Sequence, residues 1–166
     1  MTGLLIGLVL LFMPLQVVLS TVLFREPLAA PVLPAILIGA WAAVRRPEET
    51  WPAILLPAII LGAMSEQRVG WFLLALLPAP LIASLAVRRF RPRVTGFTRR
   101  ALVGSAAAAG GAAAYGVVLL ISASMAGEIG ASMNALLGSA ILTGAIALLA
   151  TCCLWPLRPR QRGLFE

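Results

Sequence analysis

The chain has 166 residues, of which 61 % are apolar and only 11 % charged, and its mean hydropathy is +1.00. Soluble domains have about half their residues apolar and about a quarter charged, so this composition excludes a water-exposed globule. It also excludes intrinsic disorder, which needs low hydrophobicity and dense charge. The length suits a single domain. We therefore predict an all-α, polytopic membrane helix bundle formed by residues 1–166.

The charged residues are of two kinds only, because all 13 basic residues are arginine and all six acidic residues are glutamate. A net charge of +7 would suggest nucleic acid as the partner of a soluble protein. In a chain this apolar, arginines between hydrophobic runs instead anchor and orient membrane helices. The charge therefore predicts membrane topology, and no nucleic-acid partner is expected.

Six apolar runs divide the chain, and a bilayer core needs about 20 apolar residues per helix. Pro57 predicts a kink in the third run, and Pro78 and Pro80 predict a bend in the fourth. The predicted helices cover approximately residues 3–24, 28–44, 51–65, 69–87, 101–123 and 131–154, with a cytoplasmic arginine-rich loop at 88–100 and a tail at 155–166.

The third run is short for a crossing, so the arginine distribution is used to choose between two topologies. Six transmembrane helices, with the N- and C-termini cytoplasmic, put eleven arginines inside and two, Arg25 and Arg68, outside. If the third run is re-entrant, the best alternative has five crossings and an N-terminus outside, and it puts ten arginines inside and three outside. The positive-inside rule favours six crossings by a small margin. Both topologies place the loop at 88–100 and the tail in the cytoplasm.

Small residues recur every four positions along the fifth and sixth runs. This spacing gives a helix one smooth face on which another helix backbone can approach closely. The approaching helix belongs either to this chain or to a partner, and the sequence leaves both open. The residues predicted to pack in this way are Gly104, Ala108, Ala112, Ala135, Ser139 and Thr143.

The polar residues do not predict catalysis. The chain has no histidine, and no carboxylate lies in the middle of a span, where acid–base work or proton transfer would need one. The adjacent Cys152 and Cys153 point apart on a helix and have no histidine or second cysteine pair beside them. We therefore predict no enzyme activity, no cofactor and no metal ion.

Two other polar residues are candidates for specific contacts. Gln16 lies within the first run and is expected to form a hydrogen bond with a neighbouring helix. Glu66 ends the third run and has Gly62 and Gly70 four residues to either side. It is interpreted as a solvated loop carboxylate, or as a polar contact that fixes a partner or the bend between the third and fourth runs.

The order of these features resembles the rod shape-determining protein MreD family. The residues that carry the resemblance are Leu15-Gln16 in the first helix, Leu33-Pro34-Ala35-Ile36 at the start of the second, Trp41 and the Arg45-Arg46 turn at its end, and Gly62, Glu66 and Gly70 around the third, followed by a basic loop, two further helices and an arginine-rich tail.

The resemblance implies a non-catalytic, multi-pass scaffold of the bacterial inner membrane. It further implies that the chain binds an MreC-like bitopic protein and belongs to the cell-elongation complex that supports peptidoglycan synthesis and cell shape. Through that partner it would associate with a RodA-type polymerase and a class B penicillin-binding transpeptidase. The MreB filament would lie on the cytoplasmic side.

The arginine-rich loop suits this role. Each arginine near a membrane surface strengthens binding to anionic phospholipid by about 1 kcal/mol. Such arginines can also bind an acidic cytoplasmic partner. The predicted partner- and lipid-binding residues are Arg88, Arg89, Arg91, Arg93, Arg99 and Arg100.

A competing interpretation is the substrate-binding subunit of a vitamin transporter of the energy-coupling-factor type, which also has six helices and a similar length. Such a subunit needs a pocket with convergent polar groups. The outward half of the chain offers few polar side chains for such a pocket, namely Glu66, Gln67, Arg68, Ser122, Ser124, Glu128, Ser132 and Asn134.

The sequence leaves a third class open, which is a subunit of a larger respiratory or photosynthetic assembly.

Overall fold

The structure, a computed structural model, describes residues 2–24, 29–64, 69–90, 96–125 and 133–157. About 94 % of these residues are helical and they contain no strand, which confirms the all-helical class for the described ranges. The seven helices are α1 (Thr2–Val18), α2 (Leu33–Val44), α3 (Leu55–Met64), α4 (Val69–Leu76), α5 (Pro78–Phe90), α6 (Phe97–Met125) and α7 (Met133–Leu154). A π-helical turn, Leu19–Leu23, follows α1, and 3₁₀ segments lie at Pro47–Ile54 and Trp155–Leu157.

Four helical stretches are long and apolar enough to cross a membrane: Gly3–Leu23, Val69–Arg89, Phe97–Met125 and Met133–Leu157. Helix α2 has 12 residues and α3 has 10, so they rise about 18 and 15 Å. Both lengths fall short of a hydrocarbon core about 30 Å thick. The predicted second and third spans are therefore not continuous α-helices of membrane length.

The second helix begins at Leu33, not near residue 28 as predicted. Residues 30–32 have non-helical backbone, and Val32 caps the helix with an extended conformation. Pro31 disfavours the α region for the residue before it, whereas Pro34 fits a first helical turn. The two prolines therefore explain why an apolar run of uniform hydropathy divides into an extended part and a helical part.

The third and fourth spans are also divided at prolines. The predicted helix at 51–65 is a 3₁₀ segment, Pro47–Ile54, that continues into α3, and it contains Pro52 and Pro57. The predicted helix at 69–87 separates at Leu77 into α4 and α5. Pro78 lacks an N–H and its ring collides with the carbonyl four residues earlier, which agrees with the predicted bend.

The predicted loop at 88–100 is shorter than expected. Helix α5 continues to Phe90 and α6 begins at Phe97, so Arg88 and Arg89 lie in the last turn of α5. Arg99 lies in the first turn of α6. Arginine is a good helix former, so a fall in hydropathy at arginines does not by itself end a helix. The last two helices, predicted at 101–123 and 131–154, are α6 and α7.

Helix α2 is the centre of the bundle. Every residue from Pro34 to Val44 is buried, and α2 packs against α1, α5, α6 and α7. The outside of the bundle is apolar, since Leu11, Val22 and Ile141 are each more than 70 % exposed. Soluble monomers rarely expose apolar side chains so extensively, whereas a lipid-facing surface does. A helix that is hydrophobic all round and buried suits the middle of such a bundle.

The described arginines gather at one end of the bundle. Arg45 contacts the 3₁₀ segment that follows α7 through its bond to Leu157, and Phe97 at the start of α6 meets Trp155 edge-on with ring centroids 4.6 Å apart. Helices α5 and α6 are antiparallel, with Ala79 beside Gly111, so the end of α5 lies near the start of α6. The residues at this end, called here the arginine end, include Arg45, Arg46, Arg88, Arg89, Arg99 and Arg100.

Candidate functional site

The start of α2 is held by side chains from two other helices. The backbone N–H of Val32 donates to Thr143 Oγ1 of α7 at 3.0 Å, and that of Leu33 donates to Gln16 Oε1 of α1 at 2.7 Å. The hydroxyl of Ser139, one turn before Thr143, donates to the carbonyl of Ala30 at 2.7 Å. Three predicted site residues, Gln16, Ser139 and Thr143, therefore converge on one short segment, 30–33.

This arrangement satisfies backbone groups that lipid cannot satisfy. A helix start leaves its first N–H groups without intrahelical partners, and an unpaired N–H in a dry environment is costly. Pro34 brings no N–H at all, and the first bond within the helix runs from Ile36 N–H to Val32 O at 3.0 Å. The break before α2 is tolerated because α1 and α7 supply the missing acceptors.

A cavity of about 250 Å³ lies beside this segment, at the opposite end of the bundle from the arginine end. Its apolar wall includes Leu61 and Met64 of α3, Phe72 of α4, and Leu119 of α6. The floor includes Ala30 and Val32 of the extended segment. The polar residues that line it are Gln16, Ser20, Thr21, Tyr115 and Ser139.

The polar side chains that line the cavity differ in how many further hydrogen bonds they can form. Ser20 and Thr21 donate their hydroxyl protons to Val17 O, at 3.0 and 2.8 Å, and keep acceptor lone pairs. Within the described part of the chain, no hydrogen bond reaches the Tyr115 hydroxyl. In that part of the chain, every fully buried side-chain polar atom has a hydrogen-bond partner. Because the Tyr115 hydroxyl has no partner there, its oxygen is not fully buried. The cavity is thus mainly apolar with a few uncharged hydrogen-bonding groups.

The predicted small-residue stripe on α6 packs inside the chain. Gly104, Ala108 and Ala112 are buried, and the first two face Gly39 of α2. A Cβ atom added at Gly39 would lie 2.5 Å from Gly104 O and 2.8 Å from Ala108 Cβ. The two backbones therefore touch, which is the contact that small residues permit between membrane helices.

The stripe predicted on α7 faces the same interior. Ser139 and Thr143 are buried against segment 30–33, whereas Ala135 is half-buried. Ser105 of α6 donates to the carbonyl of Gly144 at 2.8 Å and so joins the two long helices directly. Five of the six residues predicted for helix packing are thus buried between helices of this chain, and Ala135 is partly exposed.

The arginine end contains a cluster around Trp41. The indole ring is only 1 % exposed, its Nε1–H donates to Glu49 Oε2 at 3.1 Å, and Arg45 Cζ stands 5.7 Å from the ring centroid. The Nε–H of Arg45 also donates to the carbonyl of Leu157 at 3.1 Å. The Arg45 guanidinium therefore makes a cation–π contact with Trp41 and also links the end of α2 to the 3₁₀ segment that follows α7.

The predicted arginines fall into two groups. Arg88, Arg89 and Arg99 are exposed at the arginine end, and Arg100 is half-buried there. Arg91 and Arg93 lie outside the described residues, as does Glu66. The predictions for these three stand without a structural account.

The cavity itself was not foreseen from the sequence. Of the outward polar residues considered, Ser122, Ser124 and Asn134 are described, and none of them lines the cavity. The residues that do line it come from α1, α3, α4, α6, α7 and segment 30–32, so no local spacing brings them together. A single-residue cue was present in Tyr115, the one tyrosine of the chain, which lies inside an alanine-rich run.

Chemistry-bearing side chains are sparse in the described ranges. Cys152 and Cys153 are exposed free thiols near the end of α7, and no group of three or more histidine, cysteine or acidic side chains is arranged there to hold a metal ion. The chain matches no protein-family model, and no curated protein or solved structure is similar to it at a significant level.

Proposed function

We propose that this chain is a non-catalytic, multi-pass scaffold of the bacterial inner membrane, with the role that its resemblance to the MreD family implies in the cell-elongation complex. The observation that carries the proposal is how its polar side chains are used. Gln16, Ser139 and Thr143 bond to the backbone of this chain, and the described arginines gather at one end. In the described part of the chain, the outer surface is apolar and one end is basic, and these are the features that a partner protein and anionic lipid would contact.

The proposal includes six crossings, with both termini on the side of the arginine end. The non-helical residues 30–32 add at most about 10 Å to the 18 Å of α2, and the 3₁₀ segment Pro47–Ile54 adds about 16 Å to the 15 Å of α3. The two mixed segments then reach about 28 and 31 Å, which is close to the thickness of a hydrocarbon core. The positive-inside rule assigns the arginine end to the cytoplasm.

Cysteine labelling tests this topology. In a chain whose own thiols are removed by Cys152→Ser and Cys153→Ser, single cysteines replace Arg46, Arg89 or Met125. An impermeant maleimide should label Met125→Cys in intact spheroplasts, and the two arginine positions only after permeabilisation. Under five crossings Arg46→Cys would be labelled in intact spheroplasts and Arg89→Cys would not, so this pair distinguishes the two topologies.

The proposed partner is a bitopic protein of the MreC type, whose single helix would pack on the lipid-facing apolar surface. The arginine end would bind anionic phospholipid, at about 1 kcal/mol for each arginine near the surface. Affinity capture of the tagged chain in lipid nanodiscs, followed by mass spectrometry, should recover the bitopic protein together with wall-synthesis enzymes. An unrelated six-helix membrane protein of matched abundance is the control, and equal recovery with both baits would contradict the proposal.

The second candidate function is the substrate-binding subunit of an energy-coupling-factor transporter. The cavity of about 250 Å³ favours it, because such a subunit needs an apolar pocket with a few convergent polar groups. The same capture experiment discriminates between the two candidates. Recovery of a pair of ATPases in place of wall-synthesis proteins would support the transporter.

A further inference from the structure

We infer that the cavity between α1, α4, α6 and α7 is a binding site for a small, uncharged, flat aromatic or heteroaromatic molecule with at least one hydrogen-bonding group. This inference goes beyond the scaffold role and does not depend on it. It concerns the purified chain alone, whatever its partners are.

The volume limits the size of the ligand. A dry apolar cavity of about 150 Å³ accepts benzene, so about 250 Å³ holds on the order of ten non-hydrogen atoms. That is the size of a fused bicyclic ring, and it is smaller than a phospholipid acyl chain. Leaving the space empty would deprive its walls of van der Waals contacts, which favours an occupant.

The wall chemistry selects an aromatic and neutral molecule. Phe72 and Met64 offer a ring and a thioether, both of which contact aromatic ligands favourably. The described lining residues are uncharged at neutral pH, and burying a charged molecule against such a lining costs much more than burying a neutral one, so the lining favours a neutral ligand. The Tyr115 hydroxyl, which has no hydrogen bond to any described residue, and the lone pairs of Ser20 and Thr21 supply the polar anchor points.

The backbone around the cavity is irregular on two sides. The π-helical turn Leu19–Leu23 brings Ser20 and Thr21 to it, and the extended segment brings Ala30 and Val32. Non-helical backbone at membrane depth is tolerated where it is buried in protein or lines a cavity, and π turns occur frequently at functional sites. Both irregular segments of this part of the fold therefore meet at the same place.

Thermal unfolding of the purified full chain in lipid nanodiscs tests the inference. The probes are indole, quinoline and 1,4-naphthoquinone, with indole-3-acetate as the charged comparison. At about 100 times its dissociation constant, at least one neutral probe should raise the unfolding midpoint by about 5 °C, and indole-3-acetate should not. No shift with any neutral probe, or an equal shift with indole-3-acetate, would overturn the inference.

Two matched pairs of variants locate the binding. Leu119→Trp fills the cavity and should abolish the shift, whereas Leu120→Trp alters a neighbouring residue that does not line it and should preserve the shift. Tyr115→Phe removes one oxygen and should weaken probe binding about tenfold. Ser84→Ala removes a hydroxyl that only bonds Leu81 O and should leave the affinity unchanged. Equal binding by Leu119→Trp and Leu120→Trp would place the probe elsewhere and overturn the site.

Discussion

Replacing Gly39 with alanine should destabilise the bundle by about 2 kcal/mol or more, which is a large effect for one methyl group. The new Cβ would lie 2.5 Å from Gly104 O and 3.1 Å from the backbone nitrogen of Ala108. Neither of these atoms is the end of a flexible side chain, so α2 and α6 must move apart to make room. Unfolding of purified variants by SDS in mixed micelles, followed by tryptophan fluorescence, measures the change.

Gly138→Ala is the matched control for this substitution. Gly138 also lies within a helix, but a Cβ there meets nothing within 4 Å. Its replacement should leave stability unchanged or raise it by up to about 1 kcal/mol, because alanine loses less backbone entropy than glycine. If Gly39→Ala and Gly138→Ala have the same stability, α2 and α6 do not touch as described.

A double substitution adds a second check of the same contact. A Cβ added at Gly104 would lie 2.7 Å from Gly39 O and 2.7 Å from Ala43 Cβ, so it obstructs the same approach. Once Gly39→Ala has pushed the helices apart, Gly104→Ala should be less destabilising than it is alone. The losses in unfolding free energy measured for the two single variants should therefore sum to more than the loss measured for the double variant.

The helices that sequence predicts best are the long ones. The runs that became α6 and α7 have uniform hydropathy and no internal proline, and their predicted bounds differ from the observed ones by a few residues. The bend at Pro78 followed from the missing N–H of proline. Local chemistry decides these features, so a local pattern is enough to predict them.

The start of α2 shows what a local pattern omits. The run at 28–44 is apolar throughout, and its length suggested an ordinary crossing helix. The helix can begin at Leu33 because Gln16 and Thr143 accept the backbone protons exposed by the break, from positions 17 and 111 residues away along the chain from the donors. Hydropathy does not record such long-range bonds, even though Gln16 and Thr143 were both singled out as polar or packing residues.

The small-residue stripes predicted that another helix approaches closely, and they left open which helix that is. Gly104 and Ala108 were predicted to receive another helix, from this chain or from elsewhere. The occupant is α2, whose own Gly39 completes the contact. The run that contains Gly39 was interpreted by length alone, so the complementary glycine went unnoticed.

Replacing Thr143 with valine should destabilise the bundle by about 1–2 kcal/mol, although the side chain keeps its shape. The substitution removes the acceptor of the Val32 N–H and leaves that group buried without a partner. Single hydrogen bonds between membrane helices average about 0.6 kcal/mol and reach about 1.7, and this one satisfies a backbone group that lipid cannot. Hydrogen exchange should report the same loss locally, as faster exchange of the Val32 amide.

Thr151→Val separates this bond from the general effect of removing a buried hydroxyl. Thr143 and Thr151 both lie on α7 and both are 0 % exposed, but Thr151 bonds only Ala147 O of its own helix at 2.8 Å. That carbonyl belongs to the regular α-helical ladder, so Thr151→Val should have almost no effect on stability. Gln16→Leu leaves the Leu33 N–H without its acceptor and should resemble Thr143→Val. Equal stability of Thr143→Val and Thr151→Val, with unchanged exchange at Val32, would mean that α7 does not hold the start of α2.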